Sequence, residues 1–209
     1  MPLTHTIQID GPAGLLETSL DIPDVCTSGI AFLAHPLTSA GGTKDHKVIR
    51  TFSKSLVSSG YIVVRPNLRG AGASEGSYEG GAGEVLDFLR VIEASFEIRG
   101  IAEMLPANGR VIFGGFSFGT YIACLASEVR RPAALIFAGT AVNKYNFMAP
   151  AVRTFLIHGQ HDEIVPLSDV LAWANLQELP VTVIPAANHS FSGKLAMLER
   201  VCSSAVAFL

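Results

Sequence analysis

Apolar residues in this chain fall into two alternating patterns. Short continuous apolar runs cover Gly29 to Ala34, Tyr61 to Arg65, Ala133 to Ala138, Arg153 to Gly159 and Val181 to Ile184, and another leads through Arg110 to Phe113. Runs of this length, apolar at most positions of both parities, predict strands buried on both faces. Between them the apolar positions recur every three or four residues. Asp45 to Ser59 places Val48, Ile49, Phe52, Leu56 and Val57 on one helical face, with Gly60 as the stop. Gly83 to Phe96 does the same with Val85, Leu86, Leu89 and Ile92, and Thr120 to Val129, Pro166 to Leu179 and Gly193 to Leu209 are further predicted helices. Gly100 to Gly109 reads as a connection. At the start, Thr4 to Asp10 and Leu15 to Leu20 flank Gly11-Pro12-Ala13-Gly14, the pattern of an antiparallel hairpin. Strands alternating with helices predict an α/β fold, a mostly parallel sheet with helices on both faces.

Composition narrows the class. With 209 residues, 49% of them hydrophobic, the chain is expected to form a single domain over 1–209 around one core. A net charge of −3 with both signs interspersed gives no electrostatic case for nucleic acid or an anionic membrane surface. No apolar run approaches the length of a membrane span, and the opening residues lack a basic segment followed by an apolar one. Cys26, Cys124 and Cys202 are odd in number and widely spaced, without a disulfide or metal pattern. A reduced, cytoplasmic location is expected.

The chemistry is concentrated in Gly115-Phe116-Ser117-Phe118-Gly119, a G-x-S-x-G between a strand and a helix. In that context the motif is a nucleophile elbow, with the serine exposed at the tip of a sharp turn and glycines admitting the backbone crowding around it. A glycine-rich turn with an incidental serine is the alternative. A serine needs a base, and the base an orienting acid. Asp162 follows the strand Arg153 to Gly159, and His189 lies in the loop after Val181 to Ile184. The order Ser117, Asp162, His189, each just beyond a different strand, is that of α/β-hydrolases.

The chain resembles the small serine α/β-hydrolases of the dienelactone-hydrolase-like group over almost its full length. The likeness is carried by Ala34 to Thr43, Arg65 to Gly76, the elbow, His158 to Pro166, and Asn188 to Phe191. Where one set of these hydrolases has a doubled His-Pro before paired glycines, this chain keeps His35-Pro36 and Gly41-Gly42 but has Leu37-Thr38 in place of the second pair. Dienelactone hydrolases carry a cysteine nucleophile, and the elbow here holds Ser117, so their substrate is not implied. One oxyanion donor is expected at the backbone N–H of Phe118, the residue after the nucleophile. The resemblance points to the amide of Leu37 as the other. His35 is read as holding its loop rather than polarising a carbonyl.

Other signals take structural readings. Gly70 to Gly76 has the wrong glycine spacing for a dinucleotide loop. Arg69 reads as a structural ion pair and Trp173 as helix packing. His158, His161, Asp162 and Glu163 show no regular ligand spacing, so no metal or cofactor is expected. Only Gly139 to Pro150 separates two strands where larger hydrolases insert a helical lid, so a minimal lid and an open, shallow site are expected, lined by Phe116, Phe118, Tyr145, Phe147 and Met148. The expectation is a serine hydrolase acting on small or short-chain carboxylic esters through an acyl-enzyme, with a small-molecule ester as its partner. A homodimer is left open. The same machinery serves a thioesterase or peptidase, and a non-catalytic ligand-binding protein on this fold is the alternative from another class.

Overall fold

The computed structural model describes residues 3–209. Eight strands form one sheet: β1 (Leu3–Gly11), β2 (Gly14–Ile22), β3 (Gly29–Ala34), β4 (Tyr61–Pro66), β5 (Arg110–Phe116), β6 (Ala134–Ala138), β7 (Arg153–Gly159) and β8 (Val181–Ile184). Their spatial order is β1-β2-β4-β3-β5-β6-β7-β8. The hairpin β1–β2 joins the rest through an antiparallel pairing of β2 with β4, and all pairings from β4 to β8 are parallel. This is the α/β-hydrolase architecture with its N-terminal antiparallel hairpin. No helix among the described residues is long and apolar enough to cross a membrane.

Six helices cover the sheet: α1 (Lys47–Ser58), α2 (Ala82–Glu97), α3 (Arg99–Met104), α4 (Phe118–Val129), α5 (Leu167–Leu176) and α6 (Leu195–Ala207). The two faces of β3 show why a continuous apolar run is needed. Ile30, Phe32 and Ala34 pack with residues of α2 and α4, whereas Ala31 and Leu33 pack with residues of α1 and α6. Successive side chains point to opposite faces, so both parities must be apolar in a sheet covered twice. Phe32, Phe88 and Phe113 meet edge-on, with centroids 5.7–6.5 Å apart, and fix α2 against β3 and β5.

Boundaries move where local chemistry outweighs periodicity. The helix expected from Asp45 begins at Lys47, because the His46 ring accepts from the amide of Val48 and caps it. The last helix begins at Leu195 rather than Gly193, whose φ of 71° lies outside the helical region. Pro166 to Leu179 contracts to α5, with Glu178 at a φ of 54° just past its end. The connection Gly100 to Gly109 contains most of α3, which buries only Ile101 and so leaves no apolar periodicity to read. Between β6 and β7 the chain runs without a helix, and no lid covers the carboxyl ends of the strands.

Candidate active site

The elbow is built by close backbone contact. A Cβ on Gly115 would run into the carbonyl of Gly119, and one on Gly119 into the carbonyl of Ala34. That room lets the chain turn from β5 into α4 at Ser117, which has φ 54° and ψ −120°. The turn is held from two sides: Ser117 N–H donates to Ala138 O at 3.0 Å, and the Thr120 hydroxyl donates to Ser117 O at 2.6 Å.

Two further loops converge on the serine because β7 and β8 are neighbours. Gln160 N–H donates to Ile184 O and His161 N–H to Ala187 O, at 3.0 and 2.8 Å, which draws the loop after β7 against the loop after β8. Gly159 lies against the carbonyls of Ala187 and Asn188, leaving no room there for a side chain. In this arrangement His189 Nδ1 lies 2.7 Å from Asp162 Oδ2, and His189 Nε2 lies 3.0 Å from Ser117 Oγ. The carboxylate accepts at Nδ1–H, so Nε2 is the bare nitrogen facing the serine hydroxyl. Asp162 Oδ1 accepts from the amides of Ile164 and Val165 at 2.9 and 2.8 Å. Glu163 takes no part in the chain of three; its carboxylate accepts from the backbone N–H of His189 at 3.3 Å.

Residues 30–151, more than half of the chain, match the family described as X-Pro dipeptidyl-peptidase (S15 family). The chain belongs to that family of serine α/β-hydrolases. It is similar to a serine α/β-hydrolase without a lid from Xanthomonas campestris, with a TM-score of 0.88 and 30% identity over 98% of this chain and 94% of that one. An uncharacterized protein of Rickettsia prowazekii is 30% identical over 203 residues, 90% of this chain and 82% of its own. A dienelactone hydrolase from Anabaena variabilis shares the fold, with a TM-score of 0.75 at 18% identity over 97% of this chain and 96% of its own.

In this serine hydrolase the surroundings of Asp162 favour its ionised form. Burial alone would raise the Asp162 carboxyl, but the hydrogen bonds from His189 and from the Val165 amide outweigh it and hold the group below the usual carboxylate range. Behind it, buried His158 donates Nε2–H to Val165 O at 2.9 Å, with the same nitrogen 3.4 Å from Asp162 Oδ2. Burial pushes the His158 imidazole down, so it stays neutral in that position. His35 is fully buried. Its Nε2 accepts from Leu68 N–H at 2.9 Å and its Nδ1–H donates to Pro36 O at 2.6 Å, tying the loop after β3 to the loop after β4. Both ring nitrogens are occupied by these two backbone bonds. Arg69 clamps Asp87 through two nitrogens, at 2.9 and 2.7 Å, the structural ion pair expected of it.

Ser117 and His189 open into a cleft of 470 Å³. Phe116, Phe118, Leu37 and Tyr145 line it. The amides of Phe118 and Leu37 make no hydrogen bond within the described chain. Phe147 and Met148, expected at the mouth, do not line it. Phe147 turns inward, its centroid 5.6 Å from Tyr121 and 5.7 Å from Trp173, and Met148 faces solvent outside the cleft. A loop of twelve or so residues must anchor itself somewhere, and its largest apolar side chain serves that purpose instead of the cleft. His46, Lys144, Ile164 and Val165 line the cleft without having been singled out. Ile164 and Val165 sit inside the Asp162 loop, and the signal for them was adjacency to the acid. A larger cleft of 660 Å³ lies at the amino-terminal end of β5, beside Val111 and Arg130, and holds no nucleophile–base pair.

Proposed function

We propose that the protein is an esterase of small carboxylic esters, with Ser117 as nucleophile, His189 as general base and acid, and Asp162 as the group that fixes the imidazole. His189 Nε2 removes the Ser117 proton as Oγ attacks the acyl carbon, and returns it to the departing alcohol. A water deprotonated at the same nitrogen then cleaves the acyl-enzyme. The unpartnered amides of Phe118 and Leu37 are the donors for the tetrahedral oxyanion, with the N-terminus of α4 adding its positive end. The reading rests on one observation above others: an unbroken Asp162–His189–Ser117 hydrogen-bonded chain that ends in an apolar, uncovered cleft.

The charge of the cleft favours esters over the X-Pro peptides of the family description. Removing a dipeptide from a chain's amino end requires a partner for the free ammonium, and no residue lining this cleft carries a carboxylate. Its one fully charged side chain is cationic, Lys144. A cation repels an ammonium group, and in a low-dielectric cleft that repulsion is stronger than in water.

Stoichiometric labelling of Ser117 by a fluorophosphonate tests the nucleophile. A panel of p-nitrophenyl butyrate, a butyryl thioester and alanyl-proline p-nitroanilide then separates the three chemistries. The expected result is labelling and turnover of the ester well above the anilide. Unlabelled protein would return the reading to a binding protein on this fold, and a preference for the anilide would make it a peptidase.

A further inference from the structure

His46 belongs to the cleft but not to the chain of Asp162, His189 and Ser117. Its Nδ1 accepts from the backbone N–H of Val48 at 3.3 Å, the cap of α1. A ring nitrogen that accepts carries no hydrogen, so the hydrogen of the neutral ring is on Nε2. The ring lies stacked on Phe116, with centroids 4.9 Å apart and planes 20° from parallel. The His189 ring packs on the same Phe116, also at 4.9 Å. The His46 Nε2–H has no protein partner among the described residues. Burial first, then the positive charge of Lys47 and the coulombic influence of the nearby His189 site, bring its pKa down to about 4, so the ring remains a neutral donor at neutral pH.

The cleft therefore contains a donor locked in tautomer and plane, one aromatic ring away from the proposed base. We propose that His46 is a specificity-determining residue whose Nε2–H binds a second acceptor oxygen on the alcohol portion of the ester. The alcohol side follows from what is already occupied: the acyl oxygen goes to the amides of Phe118 and Leu37, and His189 must face the departing oxygen. His46 shares its packing partner with His189, not with Phe118. The preferred substrates are esters of hydroxy, alkoxy or oxo alcohols rather than of plain alkanols. The inference rests on the esterase reading above.

The test uses two butyrates of equal shape, the 2-methoxyethyl and the n-butyl ester, with acid release followed for wild type, His46→Phe and His46→Asn. Phenylalanine keeps a flat ring on Phe116 and loses the donor. Asparagine keeps a helix-capping acceptor but is too short to offer a donor at the same place. Comparing the ratio of kcat/KM for the two esters across proteins cancels their intrinsic reactivities. One neutral hydrogen bond of about 1 kcal/mol corresponds to roughly a fivefold ratio, so the methoxyethyl preference should fall about fivefold in both variants, mainly through KM. A purely structural His46 would lower melting temperature and leave the ratio alone. Should one variant fail to fold, the ratio in the other decides. Turnover of both esters with an unchanged ratio overturns this inference alone, whereas a wild type that cleaves neither ester removes the esterase reading and this inference with it.

Discussion

The backbone N–H of Ser117 donates to the carbonyl of Ala138, 3.0 Å away at the end of the neighbouring strand β6. Through this bond the sheet holds the serine at φ 54° and ψ −120°, a conformation that costs a residue with a Cβ about 1–3 kcal/mol. The proposed nucleophile and the strain thus fall on one residue, which separates two variants. Ser117→Gly and Ser117→Ala should both lose ester hydrolysis. Glycine also relieves the strain, so Ser117→Gly should melt a few degrees above wild type, at roughly 2–4 °C per kcal/mol for a chain of this size. Alanine keeps the Cβ and should melt close to wild type. Equal melting temperatures for glycine and alanine would show that the turn is not strained.

Asp162 has two jobs on two oxygens. Oδ2 faces His189, while Oδ1 binds the amides of Ile164 and Val165. Asp162→Asn can keep the second job with its carbonyl oxygen but presents an amide to His189 Nδ1, which favours the wrong tautomer. A kcat loss of about 10³–10⁴ with little change in fold is expected. Glu163→Gln, which leaves an acceptor near the His189 amide, should cost less than tenfold. Single-turnover kinetics on both variants checks the assignment, and a larger loss in the Glu163 variant would reverse the roles.

His35 makes stability depend on pH. Burial, opposed only in part by the bond to Pro36, brings its pKa down to about 4 in the folded protein, against about 6.5 for an exposed histidine. The unfolded chain therefore binds a proton that the folded one refuses between those values. The stability term is full above about pH 6.5 and is lost as pH falls toward 4. From pH 7 to pH 5 this one residue should remove about 2 kcal/mol. His35→Asn, which does not titrate, should show a flatter decline of urea midpoint over that interval. Parallel curves for the two proteins would refute the attribution.

Much of this molecule was legible before any coordinates, and the reason is physical. Strands buried on both faces need apolar residues on both parities, so β3 and β6 stand out as unbroken runs. The elbow needs Gly115 and Gly119 because carbonyls crowd both, and Asp162 and His189 are recognisable by type and by place after β7 and β8. What was not legible depends on orientation. Nothing in the pattern from Gly139 to Pro150 says which aromatic turns inward, and Phe147 does so against Trp173 while Tyr145 faces the cleft. His46 was hidden because it sits two residues before Val48, where periodicity extends the helix and a side-chain cap does not show. The amides of Phe118 and Leu37 have no side-chain signature, so only the elbow motif and the family resemblance pointed to them.

The absence of a helix between β6 and β7 sets the last prediction, which concerns acyl chain length. The cleft has 470 Å³ and is walled by Phe118, Tyr145 and Ile164, the last of which is itself half exposed. Each methylene contributes about 0.8 kcal/mol, close to a fourfold gain, only while there is wall to bury it against. With Phe147 turned away into the core, the mouth loses one of the surfaces that would have prolonged that gain. kcat/KM for p-nitrophenyl esters should therefore rise over roughly two to six acyl carbons and then level or fall. Ile164→Ala should shift the optimum toward shorter chains, because it removes wall at the outer end. A series that keeps rising through about ten carbons would require a long buried tunnel at ~0.8 kcal/mol per group, and would show that a second protomer or a moved loop completes the site.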